Sequence, residues 1–239
     1  MKRLIPFLAA ICVLAACGKT NPEYNGYQYV DLGLPSGLKW ATCNVGAAKP
    51  EETGDYFAWG ETETYYEVGH TLSNEPALKP GKQEGYYWPS YKWSDNSGEK
   101  FFKYVLDSAY GTVDNKKVLD KEDDAAHAAW GGKWRTPTPE EWEELTNNTF
   151  WEWTSENGIT GYRIKSKIND KSFFLPAVGH RFKTQIYYYT NKDYADYGNY
   201  WTASIVNTES GDSWMITPTN HGLSQNWRYY GFPIRPVFK

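Results

Sequence analysis

The chain has 239 residues, with 25 Lys or Arg against 29 Asp or Glu and a formal net charge of −4. An acidic chain with scattered charge carries no electrostatic footprint for nucleic acid, so that class of partner is not expected. Only three cysteines are present, two of them near the amino terminus, which leaves no disulfide framework and no cysteine metal cluster to expect.

Met1, Lys2 and Arg3 give a positive start, followed by the apolar run "LIPFLAAICVLAA" ending at Cys17. A membrane-spanning helix needs roughly 20 apolar residues, so this run is too short to cross comfortably and reads as a secretory signal. Leu14-Ala15-Ala16-Cys17 resembles a bacterial lipobox. In such signals the cysteine receives a diacylglycerol and the chain is cut just before it; the alternative is an ordinary signal with an incidental cysteine. The expected division is a signal peptide over 1–16, a lipidated tether over 17–26 and a single domain over 27–239. Cleavage removes Lys2 and Arg3 and no acid, which moves the balance to 23 against 29, or −6. The expected location is the cell envelope, lipid-anchored at the outer membrane, with the face left open.

From Tyr27, "YQYVDLGLPSGLKWATCNVG" alternates strand-forming residues around a Leu-Pro-Ser-Gly turn and predicts a β-hairpin. Cys43, on its far side, is expected to be a small buried hydrophobe. "ETGDYFAWGET" predicts a further aromatic strand between glycines. Residues 67–100 are rich in Gly, Pro, Ser, Asn and Lys, with "YYWPSYKW" inside, and predict a long surface excursion partly held down by its rings. Two helices are expected next. In "VLDKEDDAAHAAWGG", Asp120 is the expected cap and Gly131 the stop. In "TPTPEEWEEL", Thr138 is the N-cap, Pro139 the first helical residue and Glu141 the capping-box partner. After Phe150 the expected strands are "FWEWTSENGITGYRIKSK", "SFFLPAVGHR", "NYWTASIV", "DSWMITP" and "GFPIRPVFK". The class is α+β, mostly antiparallel strands with two short helices.

Aromatic residues make up 18% of the chain, including 20 Tyr and 12 Trp. With aliphatic side chains scarce, rings must fill much of the core, and the surplus is expected to face a ligand or partner. Asp120, Glu122, Asp123 and Asp124 offer oxygens for calcium, but they lack the glycine turn of a calcium loop and favour a helix start. His70, His127, His180 and His221 never fall at i, i+4, so no zinc site is expected. No nucleophile elbow and no phosphate-cradling glycine loop appear; neither a metal nor another cofactor is expected. Arg135 and Arg235, each beside or near a proline, are expected to hold loop carbonyls or a carboxylate.

"YVDLGLPSGLKWATCNVGA", "PEETGDYFAWGET", "EDDAAHAAWGGKWRTPTPEEWEEL", "WEWTSENGITGYRIKSK", "FFLPAVGHR", "NYWTAS" and "YYGFPIRPV" occur in that order. Together they resemble the Fibrobacter succinogenes major paralogous domain family. The resemblance implies an exported lipoprotein of the Bacteroidota with a C-type-lectin-like fold. "WRTPTPEEWEEL" is also similar to a block of the formylglycine-generating enzymes, which share that fold and use two late cysteines. No cysteine follows Cys43, so that chemistry is not expected here. The calcium-dependent sugar-binding lectins of this fold carry a Glu-Pro-Asn type motif, whereas Glu75-Pro76 is followed by Ala77.

The segment from Tyr187 to Tyr230 mixes Tyr and Trp with Asn, Ser and Thr, a composition suited to an adaptable contact surface. Asn207, Trp214, Asn220, His221, Asn226, Trp227, Tyr229 and Tyr230 are the expected ligand contacts; Tyr200 and Trp201 are expected in the core. The alternative for Trp214, Trp227 and one tyrosine is simple closure of the core. The leading expectation is a non-catalytic, lipid-anchored protein that binds a glycan or another protein through this face. The other is an enzyme acting on cell-envelope polymers, with a site near residues 67–100.

Overall fold

The computed structural model describes residues 21–67, 77–187 and 196–239. Cys17, His70 and the Glu75-Pro76 pair lie outside them. No helix among the described residues is long and apolar enough to cross a membrane.

Strands β1 (Glu23–Tyr24), β2 (Tyr27–Val30), β3 (Lys39–Ala41) and β12 (Val237–Phe238) form a four-stranded sheet that joins the two ends of the domain. The expected hairpin is present, with Val30 opposite Trp40 and Tyr29 opposite Ala41. Residues 23 and 24, expected in the tether, belong to the fold instead. Tyr24 stacks on Phe238 at 4.5 Å and its carbonyl accepts from Trp134 Nε1, so the ring's partners pull this segment in. The expected strand in "ETGDYFAWGET" does not form. Phe57 makes only an isolated bridge to Phe232, between Gly54 and Gly60, both at positive φ.

Helix α1 (Ala125–Trp130) starts later than the sequence predicts. Its cap is Asp124, not Asp120: the Asp124 carboxylate accepts from the Ala126 and His127 amides and from Thr136. Lys121–Asp123 form a separate 3₁₀ turn, and Gly131 ends the helix at φ 66°. Helix α2 (Pro139–Asn148) has the expected capping box, in which Thr138 and Glu141 exchange side-chain-to-backbone bonds. Arg135 grips the same Glu141 carboxylate with both guanidinium ends, at 2.7 and 2.5 Å. The Trp-Arg-Thr-Pro corner therefore fixes the entry to α2.

Beyond α2 the chain is antiparallel. Strands β4 (Thr149–Glu156), β5 (Ile159–Ser166) and β6 (Ser172–Pro176) form one sheet; β7 (His180–Phe182) and β8 (Gln185–Tyr187) form a small hairpin. Strands β9 (Gly198–Ile205), β10 (Ser210–Ile216) and β11 (His221–Trp227) form a third sheet, ordered β11–β10–β9. β11 was not expected as a strand, because "HGLSQNW" has few β-branched residues; its pairing with β10 imposes the form. Helix α2 packs on β9 and β10, where Trp142 and Leu145 meet Tyr200, Trp214 and Ile216 in one core. A second core gathers Trp59, Trp134, Trp201 and Phe232, and a third is built from Tyr56, Tyr65, Tyr86, Trp88, Tyr91 and Tyr229.

Candidate functional site

The described part of the excursion is less peripheral than its composition implies. Apart from the 3₁₀ turn Trp88–Ser90 it has no regular helix or strand, yet Tyr86, Trp88 and Tyr91 are buried. Its anchor is Arg228, itself fully buried and with no carboxylate partner among the described residues. The guanidinium donates to Tyr91 Oη at 2.8 Å and to the carbonyls of Thr208, Lys103 and Tyr104. The rings of Trp59, Tyr91, Phe101 and Tyr104 surround it with centroids 5.1–5.6 Å away. Four ring faces and three carbonyl dipoles replace the water that a buried cation loses. Arg228 was missed from sequence because nothing flanks it to mark it. Arg235 behaves as expected, donating to Asn44 Oδ1 and to the Ala41 and Thr42 carbonyls.

This anchoring brings three distant segments together at the carboxyl-terminal end. Half-exposed Tyr87 packs edge-on against Phe182 of β7 and against Tyr229. Phe182 in turn meets Tyr187 and Tyr230, and His180 stacks on Tyr187 at 5.3 Å. Trp227, 49% exposed, lies nearly parallel to Tyr230 at 6.5 Å, and Tyr230 lies parallel to Phe232 at 5.9 Å. The result is a continuous platform of partly solvent-facing rings: Tyr87, Phe182, Tyr187, Trp227 and Tyr230. Lys183 sits at its edge, 5.0 Å from the Tyr87 ring centre. Burial pushes the His180 imidazole down to about 4, so it is neutral at physiological pH, and Tyr197 Oη contacts its Nδ1.

The eight expected contact residues divide sharply. Trp227 and Tyr230 are on the platform. Trp214 and Tyr229 are corrections: Trp214 is 3% exposed and stacked on Trp142 at 5.6 Å, and Tyr229 is 0% exposed beneath the platform. Trp214 lies on the central strand of its sheet, under α2, where no ligand reaches it. His221 is half-buried and stacks on Trp151 at 4.0 Å, away from the platform rings. Asn207 accepts from the Glu209 and Ser210 amides and shapes the β9–β10 turn. Asn220 is exposed in the β10–β11 turn, and Asn226 donates to Ser213 Oγ at 2.8 Å. Phe182 was missed as a contact because it precedes the segment that drew attention, and Tyr187, the first residue of that segment, was not singled out within it; Tyr87 was noted only as one ring of the excursion.

The acidic cluster has its own occupant. Lys103 Nζ lies 2.7 Å from Asp120, 2.6 Å from Asp123 and 3.3 Å from Glu122, so an ammonium stands where a cation would be bound. Burial pulls the Lys103 pKa down, but its bonds to Asp120 and Asp123 outweigh this and hold it well above the ordinary value. Cys43 also differs from expectation. It is half-buried, because the chain turns away from β3 there, and with Glu23, Gln28 and Tyr27 it lines a depression of about 300 Å³. A neighbouring cleft of about 500 Å³ shares the wall made by Tyr27, which stacks on Trp130 at 4.0 Å.

No family model, curated protein or solved structure matches the chain.

Proposed function

We propose that this is an exported, lipid-anchored protein that binds a glycan or a protein through the aromatic platform, without performing chemistry there. The observation that supports the reading is the assembly of Tyr87, Phe182, Tyr187, Trp227 and Tyr230 from three segments into one half-exposed ring surface. Rings held rigid from below lose little side-chain freedom on binding. They offer apolar faces to the C–H faces of a sugar and large contact areas to a protein. The antiparallel sheets and two helices are compatible with a C-type-lectin-like domain of the Fibrobacter succinogenes major paralogous type. That assignment, and the anchoring of Cys17 at the outer membrane, rest on sequence resemblance.

Glycan and protein arrays probed with the chain from Gly18 onward test the proposal. Binding is expected, and Trp227→Ala combined with Tyr230→Ala should weaken it at least tenfold while the thermal midpoint moves by only a few degrees. Binding that survives this double change would place the ligand elsewhere.

A further inference from the structure

The sheet β11–β10–β9 has two edges treated in opposite ways. The outer edge of β9 is occupied residue by residue. Leu119 N donates to Ala203 O, Ala203 N to Pro137 O, Ile205 N to Lys117 O and Trp201 N to Pro233 O. On the other side, Thr217 N donates to Asn220 O and Arg228 N to Glu209 O, at the two ends of the β10–β11 ladder. In an antiparallel pair, bonded residues alternate. The even-numbered residues of β11 therefore point their backbone groups at β10, and His221, Leu223, Gln225 and Trp227 point theirs outward. Only the Trp227 carbonyl has a backbone partner among the described residues on that side, the Tyr230 amide.

Open edges are usually guarded by charge, proline or brevity. β1 and β12 are two residues long, and β4 carries Glu152 and Glu156. β11 has seven residues, "HGLSQNW", with no Asp, Glu, Lys, Arg or Pro. Its outward series includes Leu223 at 47% exposure and Trp227 at 49%.

We infer that β11 pairs antiparallel with β11 of a second copy of this chain, joining two three-stranded sheets into one of six strands. An uncharged strand selects no acidic or basic partner peptide, and it does not repel its own copy. Self-pairing is also in phase: about an axis through Ser224, Leu223 faces Gln225 and His221 faces Trp227, and because the Trp227 carbonyl already accepts from the Tyr230 amide, the new ladder rests on the two Leu223–Gln225 pairs. An interface built on one strand pair is small, and the association is concentration-dependent rather than obligate.

Sedimentation equilibrium of the chain from Gly18 onward, over micromolar to millimolar concentration, tests this. A monomer–dimer equilibrium is expected. Leu223→Lys, which places charge along the shared edge, and Gln225→Pro, which removes one outward N–H, should each raise the dimer dissociation constant at least tenfold with the thermal midpoint unchanged. In a Cys43→Ser background, Ser224→Cys should give a disulfide-linked dimer on mild oxidation. A chain monomeric at all concentrations, or a dimer indifferent to both edge variants, would overturn the inference. Neither edge variant replaces a platform ring, so ligand binding retained in a variant that no longer self-associates separates this inference from the proposed binding function, although Trp227 belongs to both surfaces.

Discussion

Trp142–Trp214 and Trp227–Tyr230 are both near-parallel ring pairs, with interplanar angles of 5° and 13°. One is sealed beneath α2 and the other is half in solvent. The residues are chemically alike, so ring type does not explain the difference; position in the sheet does. Trp214 sits on the middle strand, covered by a helix on its own face. Trp227 ends an edge strand, where its ring packs on Trp88, Tyr229 and Tyr230. The same aromatic surplus therefore serves as filling in one place and as surface in another.

Breaking the sealed pair should have the largest effect. Trp214→Ala removes a large side chain from the core and is expected to cost about 3–5 kcal/mol in chemical denaturation. Next comes the joint beneath the platform. Arg228→Ala orphans three carbonyls and empties an aromatic cage, with an expected loss of about 3 kcal/mol. It should also loosen residues 86–91, seen as faster amide exchange there than in β4 and β5.

Acid sharpens the comparison further. The His180 pKa is depressed from 6.5 to about 4 by burial, so below pH 6.5 the unfolded chain binds the proton more readily than the folded one. Its contribution to stability is complete above pH 6.5 and falls as pH drops toward 4. The expected loss is about 2 kcal/mol after allowance for partial solvent access, and His180→Gln should flatten that part of the pH profile. The smallest stability effect belongs to the exposed ring: Trp227→Ala alone should cost less than about 1 kcal/mol. Equal losses for Trp214→Ala and Trp227→Ala would erase the distinction between core and platform.

Some of this was legible locally. Thr138, Pro139 and Glu141 announce the start of α2, because a cap and its box lie within four residues and need nothing distant. The glycine after Trp130 and the grip of Arg135 on Glu141 follow the same logic, whereas Arg235 was legible in kind but its partners, Ala41, Thr42 and Asn44, lie near the other end of the chain. Asp120 misled because four acids among five residues offer several caps, and Thr136, twelve residues beyond Asp124, selected among them. Cys43 misled because strand-like neighbours do not report where a strand ends.

The amino-acid sequence by itself determined the α+β class, the second helix with its cap, most of the later strands, and the fact that rings would have to build the interior. Tertiary structure alone decided which rings are sealed and which are open. It put Lys103 among the acids, Arg228 inside a cage of rings, and Tyr87, Phe182 and Trp227 on one surface. Capping and turns are short-range chemistry, set within a few residues. Burial is a long-range property, fixed only when segments a hundred or more residues apart, such as Tyr87 and Tyr229, come into contact.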